Sequence, residues 1–447
     1  MQIVLLLQGL PEGKVRKKIT DSFKKSIQFY VVYIIMGFKG PGTAVAVLEI
    51  KNEDRQKIKN SIQIDSKNVT VTVLPANLND IYMFGISDET RKMFESPESV
   101  NHFVQLAIKE MKEVETENFF NNQNRLQDVK YDVQRTIDRP EYQVYSFGSR
   151  DQGLGLKNSD CDIFIDTGDM YNGNKLQSKE EQEILIKKLF NILKEHPVTF
   201  DELIFIPNAR VPIIRFKHET TGLRCDISCR NGISIENTFL IRKYLDMDWR
   251  VKWVIIAVKL WAKQNDLIGF NKFTSYALLW MTLYVLMQAD IVIPVAHLQQ
   301  LYKGPKKKVA GWECGFCQGK INDIPKSKNT DSPYKLFQNF FYFYGQPNRT
   351  SFKDAVLCPL IGGEIRKESF EKLSLPHAFR SYVEIMKTQN EEEKEYFKLD
   401  CVLCIQDPLE LSHNLTKFVD GAIMKRFKLL CTFSADHLDA NSGAGVQ

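Results

Sequence analysis

The sequence contains no apolar run of the roughly 18 residues that a membrane-spanning helix requires. Its longest, Tyr276–Met287, stops at Gln288 and reads as a buried helix. The apolar run Ile3–Leu7 is short and has no basic segment ahead of it, so no secretory signal is evident. Cysteine occurs nine times in 447 residues, an odd number in a long chain, so a disulfide scaffold is not expected. These absences point to an intracellular protein with no membrane partner, with nucleus, cytoplasm and mitochondrion all open. Internal repeats are lacking, and so is any low-complexity tract beyond the tail 437–447. A charge excess of one sign is also nearly absent. Sixty Lys and Arg against 55 Asp and Glu leave +5, too little to identify a nucleic-acid binder from the total.

What is present is an ordinary globular composition, 43% apolar and 26% charged, in a chain long enough for about three domains. The small charge surplus is concentrated. Residues 1–70 hold 12 basic and 6 acidic side chains, a net of +6, and the rest is close to neutral. A basic segment ahead of a balanced body suits a polyanion-binding module.

Residues 1–75 alternate in a recognisable order. Ile3–Leu7, Gln28–Met36, Thr43–Ile50 and Asn68–Leu74 are expected strands, Lys14–Ser26 and Asp54–Ile62 expected helices, and Gly40–Gly42 a turn. The resulting β-α-β-β-α-β order is the ferredoxin-like arrangement. This segment resembles an RNA-recognition motif, and its KGPGTAVAVLEI stretch occupies the position of that fold's main RNA-contact strand. Base stacking, however, needs planar side chains, and Thr43, Val45, Val47 and Leu5–Leu6 supply none. The domain, set at 1–80, is left with charge as its means of holding RNA, or with a role in docking a protein or a second copy of the chain.

The strongest signal is VYSFGSRDQGLGLKNSDCDIFID. Gly148-Ser149 is followed by ten residues, then Asp160-Cys161-Asp162 and an apolar strand. Two carboxylates spaced by one residue on a strand face the same side. Such hard oxygen ligands suit Mg²⁺ or Mn²⁺. Gly148 and Ser149, at a strand-to-helix turn, would offer N–H groups and a hydroxyl to phosphate oxygens. A third acid, Asp226, lies on the alternating strand Leu223–Ser228 and would accept the proton of an attacking 3′-hydroxyl. A metal-bridged acid triad is the logic of in-line nucleotidyl transfer. Gly153 and Gly155 do not make a dinucleotide fingerprint, because no third glycine follows and the strand comes after them.

This constellation resembles the nucleotidyltransferase superfamily typified by DNA polymerase beta, and within it the template-independent terminal uridylyltransferases and their poly(A) polymerase relatives. The resemblance spans roughly 100–435. It implies an α+β fold: an RRM-like domain, a mixed-sheet palm over 126–231, and a mostly helical central domain built from 90–125 and 232–436. It also implies roles for further positions. Asn231 and Thr238 would contact the ribose, while Ser275 would contact a phosphate and Tyr276 would stack on the base. Lys259 and Lys263, four apart on one helix face, would clamp the triphosphate. In IQDPLELSHN, His413 would donate to uracil O4, with Glu410 on the same helix face orienting the site. Adenine presents a donor there, and two facing donors are left unsatisfied. The partners implied are the 3′ end of an RNA and a nucleoside triphosphate, UTP over ATP. The expected reaction is untemplated addition of UMP to RNA 3′ ends. A poly(A) polymerase is the same-fold alternative, and a non-catalytic RNA-binding scaffold the alternative of another class. The pairs Cys314/Cys317 and Cys401/Cys404 lie too far apart in sequence for a compact zinc module. Lys303–Lys308 reads as a solvated basic loop and Leu336–Gly345 as a core helix.

Overall fold

The computed structural model describes residues 2–11, 16–24, 29–36, 43–74, 87–120, 125–168, 170–173, 178–207, 211–319, 324–345, 351–391 and 394–442. The expected Gly40–Gly42 turn and the side chains of Thr43, Val45 and Val47 lie outside this set.

The N-terminal strands are β1 (Gln2–Gln8), β2 (Phe29–Met36), β3 (Thr43–Ile50), β4 (Ser61–Ile64) and β5 (Lys67–Leu74), with helix α1 (Arg16–Lys24) between the first two. They form one antiparallel sheet in the order β2-β3-β1-β5-β4. Leu5, Leu7, Ala44, Ala46, Leu48, Val69 and Val71 are buried against Ile19 and Phe23 of α1. Leu6 is buried as well as Leu5, so neither offers a surface to a base. The helix expected at Asp54–Ile62 does not form. A 3₁₀ turn occupies Asn52–Lys57, and Ser61–Ile64 instead pairs back on Lys67–Thr70. The cause is local. Asp65 and Ser66 both take positive φ (49° and 64°), the pair of left-handed residues that closes a two-residue hairpin. Edge strand β2 lies close to the C-terminal helix Gly421–Ser442.

The palm sheet is mixed. Its strands are β6 (Gln143–Phe147), β7 (Cys161–Asp166), β8 (Phe200–Ile206), β9 (Ile213–His218) and β10 (Leu223–Ser228), in the order β6-β7-β10-β9-β8. Only β7 and β10 run parallel. One face is packed by helices α2 (Arg125–Ile137) and α3 (Lys179–Lys194) through Val129, Val133, Ile186 and Leu189. The inward residues Cys161, Ile163, Ile165, Cys225 and Ile227 belong to that core, so strand alternation turns Asp162 and Asp226 to the opposite, open face.

The largest core joins Pro97–Phe120 to most of 233–438. It is built on α4 (Ile233–Met247), α5 (Trp249–Gln264), α6 (Ser275–Gln288) and α7 (Pro333–Gly345), with Trp253, Trp261 and Trp280 fully buried. Asp248 caps α5, and Thr274 caps α6 by accepting from Ala277 N at 3.0 Å. Among the described residues no helix is long and apolar enough to cross a membrane. The α+β expectation with a mixed sheet is met.

Candidate active site

The site begins where β6 turns into the short helix Gly148–Asp151. Gly148 has φ +80°, and a Cβ there would collide with Asp162 Oδ2. Only glycine lets the turn lie this close to the acid. Gly148 N donates to Thr238 Oγ1 at 3.1 Å, and the same hydroxyl donates to Ser234 O at 3.0 Å. Arg242 of α4 holds the turn from the other side through Asp151 Oδ1 (3.0 Å) and the Asp151 carbonyl. Arg150 donates to Ser159 O (2.7 Å) and Lys157 O (2.6 Å). These bonds fix the loop that delivers Asp160 to the entry of β7.

Asp162 and Asp226 sit side by side in the parallel register of β7 and β10. Asp160 lies one residue ahead of β7 rather than inside it, since the strand starts at Cys161. It is more exposed than Asp162. Burial, then Asp226 and Asp160, push the Asp162 carboxyl up to about 7, only partly opposed by Arg215. Burial and Asp226 also raise Asp160. Asp226 is engaged differently. Arg215, its cross-strand neighbour on β9, holds it with two bonds, Nε to Oδ1 at 2.8 Å and Nη2 to Oδ2 at 2.7 Å.

A cavity of about 500 Å³ opens from this point toward the helical domain. Of the residues singled out from sequence, Gly148, Ser149, Asp162, Asn231, Thr238, Lys259, Ser275, Tyr276, Glu410 and His413 line it. Lys263 does not; it is exposed one turn beyond Lys259. Lys259 is mostly buried, donates to Leu154 O at 3.3 Å, and has its pKa lowered by burial and then by Lys263.

Two expectations are corrected. Asn231 is not on the helix of Thr238. Helix α4 starts at Ile233, and Asn231 lies ahead of it, accepting from Ile233 N at 3.1 Å. Its neighbour in the cavity is Asn237, which is buried, and whose Oδ1 meets no partner among the described residues. An orphaned buried acceptor at a cavity wall is the feature that sequence reasoning missed. Glu410 and His413 are not on a helix either. Residues 407–413 form a compact turn closed by Asp407, whose Oδ1 accepts from Leu409 N and Glu410 N at 3.0 Å each. His413 N donates to Glu410 O at 2.8 Å, and Asp407 N to His413 O at 3.0 Å. Asp407 is fully buried and is pushed up to about 7, first by burial and then by Glu410. Tyr276 donates to its Oδ2 at 3.1 Å, which ties the aromatic ring at the head of α6 to the turn.

Residues 105–246 match the family described as poly(A) RNA polymerase, mitochondrial-like, central palm domain. That stretch carries strands β6 to β10 and the acids Asp160, Asp162 and Asp226. Mouse terminal uridylyltransferase 4 is 31% identical over 296 residues, which are 63% of this chain and 16% of that protein. Terminal uridylyltransferase cid1 of Schizosaccharomyces pombe is 28% identical over 299 residues, 65% of this chain and 67% of the relative. The Drosophila melanogaster poly(A) RNA polymerase gld-2 homolog B is 26% identical over 67% of this chain and 21% of its own length. The chain thus spans only about a sixth of the mouse uridylyltransferase. A crystal structure of mtPAP in complex with UTP superposes with a TM-score of 0.60 at 18% identity, over 97% of this chain and 92% of that one. The Cid1 poly(U) polymerase, bound to Mg and 3′-dATP, gives 0.56 at 24% identity over 77% and 95%. At these identities the superpositions establish a shared fold.

Proposed function

We propose that the chain adds nucleotides to RNA 3′ ends without a template, with UTP as the preferred donor. The observation that carries this reading is the position of Asp162. It lies against Gly148, next to Asp226 and Asp160, at the floor of a cavity whose walls hold Lys259, Ser275, Tyr276 and His413.

The acids suit a divalent metal. Among the described residues no three His, Cys, Asp or Glu side chains converge into a ready cage. Mg²⁺ does not need one, since it is commonly held by one or two carboxylates together with substrate phosphates and water. Asp160 and Asp162 would provide those carboxylates; burial, and then the Asp226 carboxylate, raises both pKa values, and a bound cation would relieve that cost. Bound Mg²⁺ or Mn²⁺ would supply charge neutralisation at the transferring phosphoryl group. The chain's own groups do the rest. Ser149 and the turn at Gly148 face the phosphates, as does Lys259. Asp226, once released from Arg215, would take the proton of the 3′-hydroxyl. Tyr276 presents a ring to the base, and Asn231, Asn237 and Thr238 supply polar atoms at ribose height. Base–aromatic stacking contributes about 1–3 kcal/mol.

The preference for UTP rests on His413, which the turn places at the cavity wall beside Glu410. A poly(A) polymerase is the second reading, because relatives of both kinds match the chain. Tailing of a short RNA with each nucleoside triphosphate separately tests the proposal. UTP should be used fastest, Asp162→Ala should abolish tailing, and His413→Ala should narrow the UTP/ATP ratio. Preferential use of ATP, with a ratio indifferent to His413→Ala, refutes the uridylyl reading. The basic N-terminal domain is proposed to add RNA contact through charge or to dock a partner protein. A salt dependence of RNA binding unchanged by deleting 1–80 favours docking.

A further inference from the structure

The palm and the helical domain have separate cores, yet one ion pair spans the nucleotide cavity between them. Arg230 follows β10 four residues after Asp226, immediately beyond Cys229 of the palm core. Its Nη2 lies 2.9 Å from Glu410 Oε1 and 3.6 Å from Glu395 Oε2. Glu410 is buried between Leu409 and Leu411 of the helical core. Glu395 is also held by Lys417 at 3.2 Å. Arg230, Glu410 and His413 all line the cavity.

The electrostatics of the turn give this pair a purpose. Glu410 stands beside the fully buried Asp407 and repels it. Two carboxylates packed into one turn would push it apart, and a guanidinium on the open side of Glu410 offsets that repulsion. The same guanidinium fixes the separation between the strand bearing Asp226 and the turn bearing His413.

We infer that Arg230 is a positioning residue for nucleotide selection: its bridge to Glu410 sets the pose of the 407–413 turn over the cavity. This rests on the nucleotidyltransferase reading and deepens it. Arg230 acts through Glu410 and His413, so its loss should disturb base recognition more than chemistry.

The test compares the unmutated chain with Arg230→Ala, Arg230→Lys and Arg230→Ala/Glu410→Gln in UTP and ATP tailing. For Arg230→Ala, KM for UTP should rise about tenfold with kcat within about threefold, and the UTP/ATP ratio of kcat/KM should fall. Lysine keeps the charge without the fork and should restore part of the loss. The double variant should be no worse than Arg230→Ala, because the neutral amide that Glu410→Gln introduces leaves no uncompensated carboxylate. Arg380→Ala, which breaks the remote Arg380–Glu313 pair, should leave both parameters unchanged. Tailing with unaltered KM and ratio in Arg230→Ala overturns the inference, and so does a fall in kcat alone. If the unmutated chain tails no RNA, the functional reading fails. Arg230 is then judged by the equilibrium affinity for a fluorescent UTP analogue, where tenfold weakening supports its role and equal affinity removes it.

Discussion

Replacing Asp162 with asparagine should stabilise the metal-free protein while it abolishes activity. Burial and the two neighbouring acids raise the Asp162 pKa from 3.8 to about 7. A shift of that size corresponds to a ceiling of about 4 kcal/mol of differential interaction. Partial solvent exposure reduces this, and about 2 kcal/mol is a working value. The sign follows from proton binding. Below pH 3.8 the carboxyl is protonated in both the folded and unfolded chain, and no penalty exists. Between 3.8 and about 7 the unfolded chain ionises while the folded chain keeps its proton, so stability falls as pH rises. Above about 7 the full cost is present. The amide of the Asp162→Asn variant is neutral throughout, so its advantage should be absent near pH 4, grow toward neutrality and level off above it. For a chain of this size about 2 kcal/mol corresponds to a melting shift of roughly 2 °C. Thermal melts in chelator from about pH 4 to well above neutrality read this directly. Added Mg²⁺ should raise the melting temperature of the unmutated chain and not that of the variant, closing the gap. An Asp162→Asn protein that melts lower than the unmutated chain at about pH 8, or a difference that does not vary with pH, refutes the reasoning.

Gly148→Ala should cost activity far more than stability. The new methyl meets Asp162 Oδ2 at a positive φ, so the acid must move; tailing should fall about 100-fold while stability drops by only about 1–2 kcal/mol. Retention of more than a tenth of the activity would show that Asp162 tolerates displacement. Tyr276→Phe keeps the ring and loses the bond to buried Asp407, so a loss of about 1–2 kcal/mol in stability is expected with KM for UTP within about threefold. Tyr276→Ala should raise KM by about tenfold or more through lost stacking. Equal KM values for the two variants would remove Tyr276 from the base site.

The acids of the site are legible in the sequence because their spacing is local. A glycine at a strand-to-helix turn and two carboxylates flanking a cysteine at the head of an apolar strand carry their geometry with them. Positions set by tertiary approach are not legible. Arg215 reaches Asp226 only because β9 and β10 pair in that register, and Arg242 reaches Asp151 only through the packing of α4. Asn237 escapes notice when the helix is read from Asn231; starting it at Ile233 brings the residue before Thr238 to the cavity wall as well. Glu410 and His413 share a site, but through a turn organised by Asp407 rather than a helix repeat. The missing helix at 54–62 has a comparable origin. Its periodicity is real, but the Asp65-Ser66 turn commits Ser61–Ile64 to a hairpin.

The distribution of cations around the cleft sets Asp160 and Asp162 apart from its other carboxylates. Asp226 has Arg215, Asp151 has Arg242, Glu410 has Arg230, and the fully buried Glu236 has Lys307 at 2.6 Å and the Tyr171 hydroxyl at 2.5 Å. Asp407 is satisfied by two backbone N–H groups and Tyr276. Among the described residues Asp160 and Asp162 have no such ion pair. A buried carboxylate without a cation is a standing cost unless something outside the chain supplies one. Evenly distributed compensation would have left Asp162 near its ordinary pKa and the site with no preference for a divalent ion. The two acids left uncompensated are those that the proposed chemistry assigns to metal. The same logic extends to Arg215: a cation arriving at Asp162 competes with it for Asp226. Arg215→Ala should therefore tighten Mg²⁺ binding while lowering metal-free stability, and weaker Mg²⁺ binding in that variant would mean that Arg215 supports the metal site rather than opposing it.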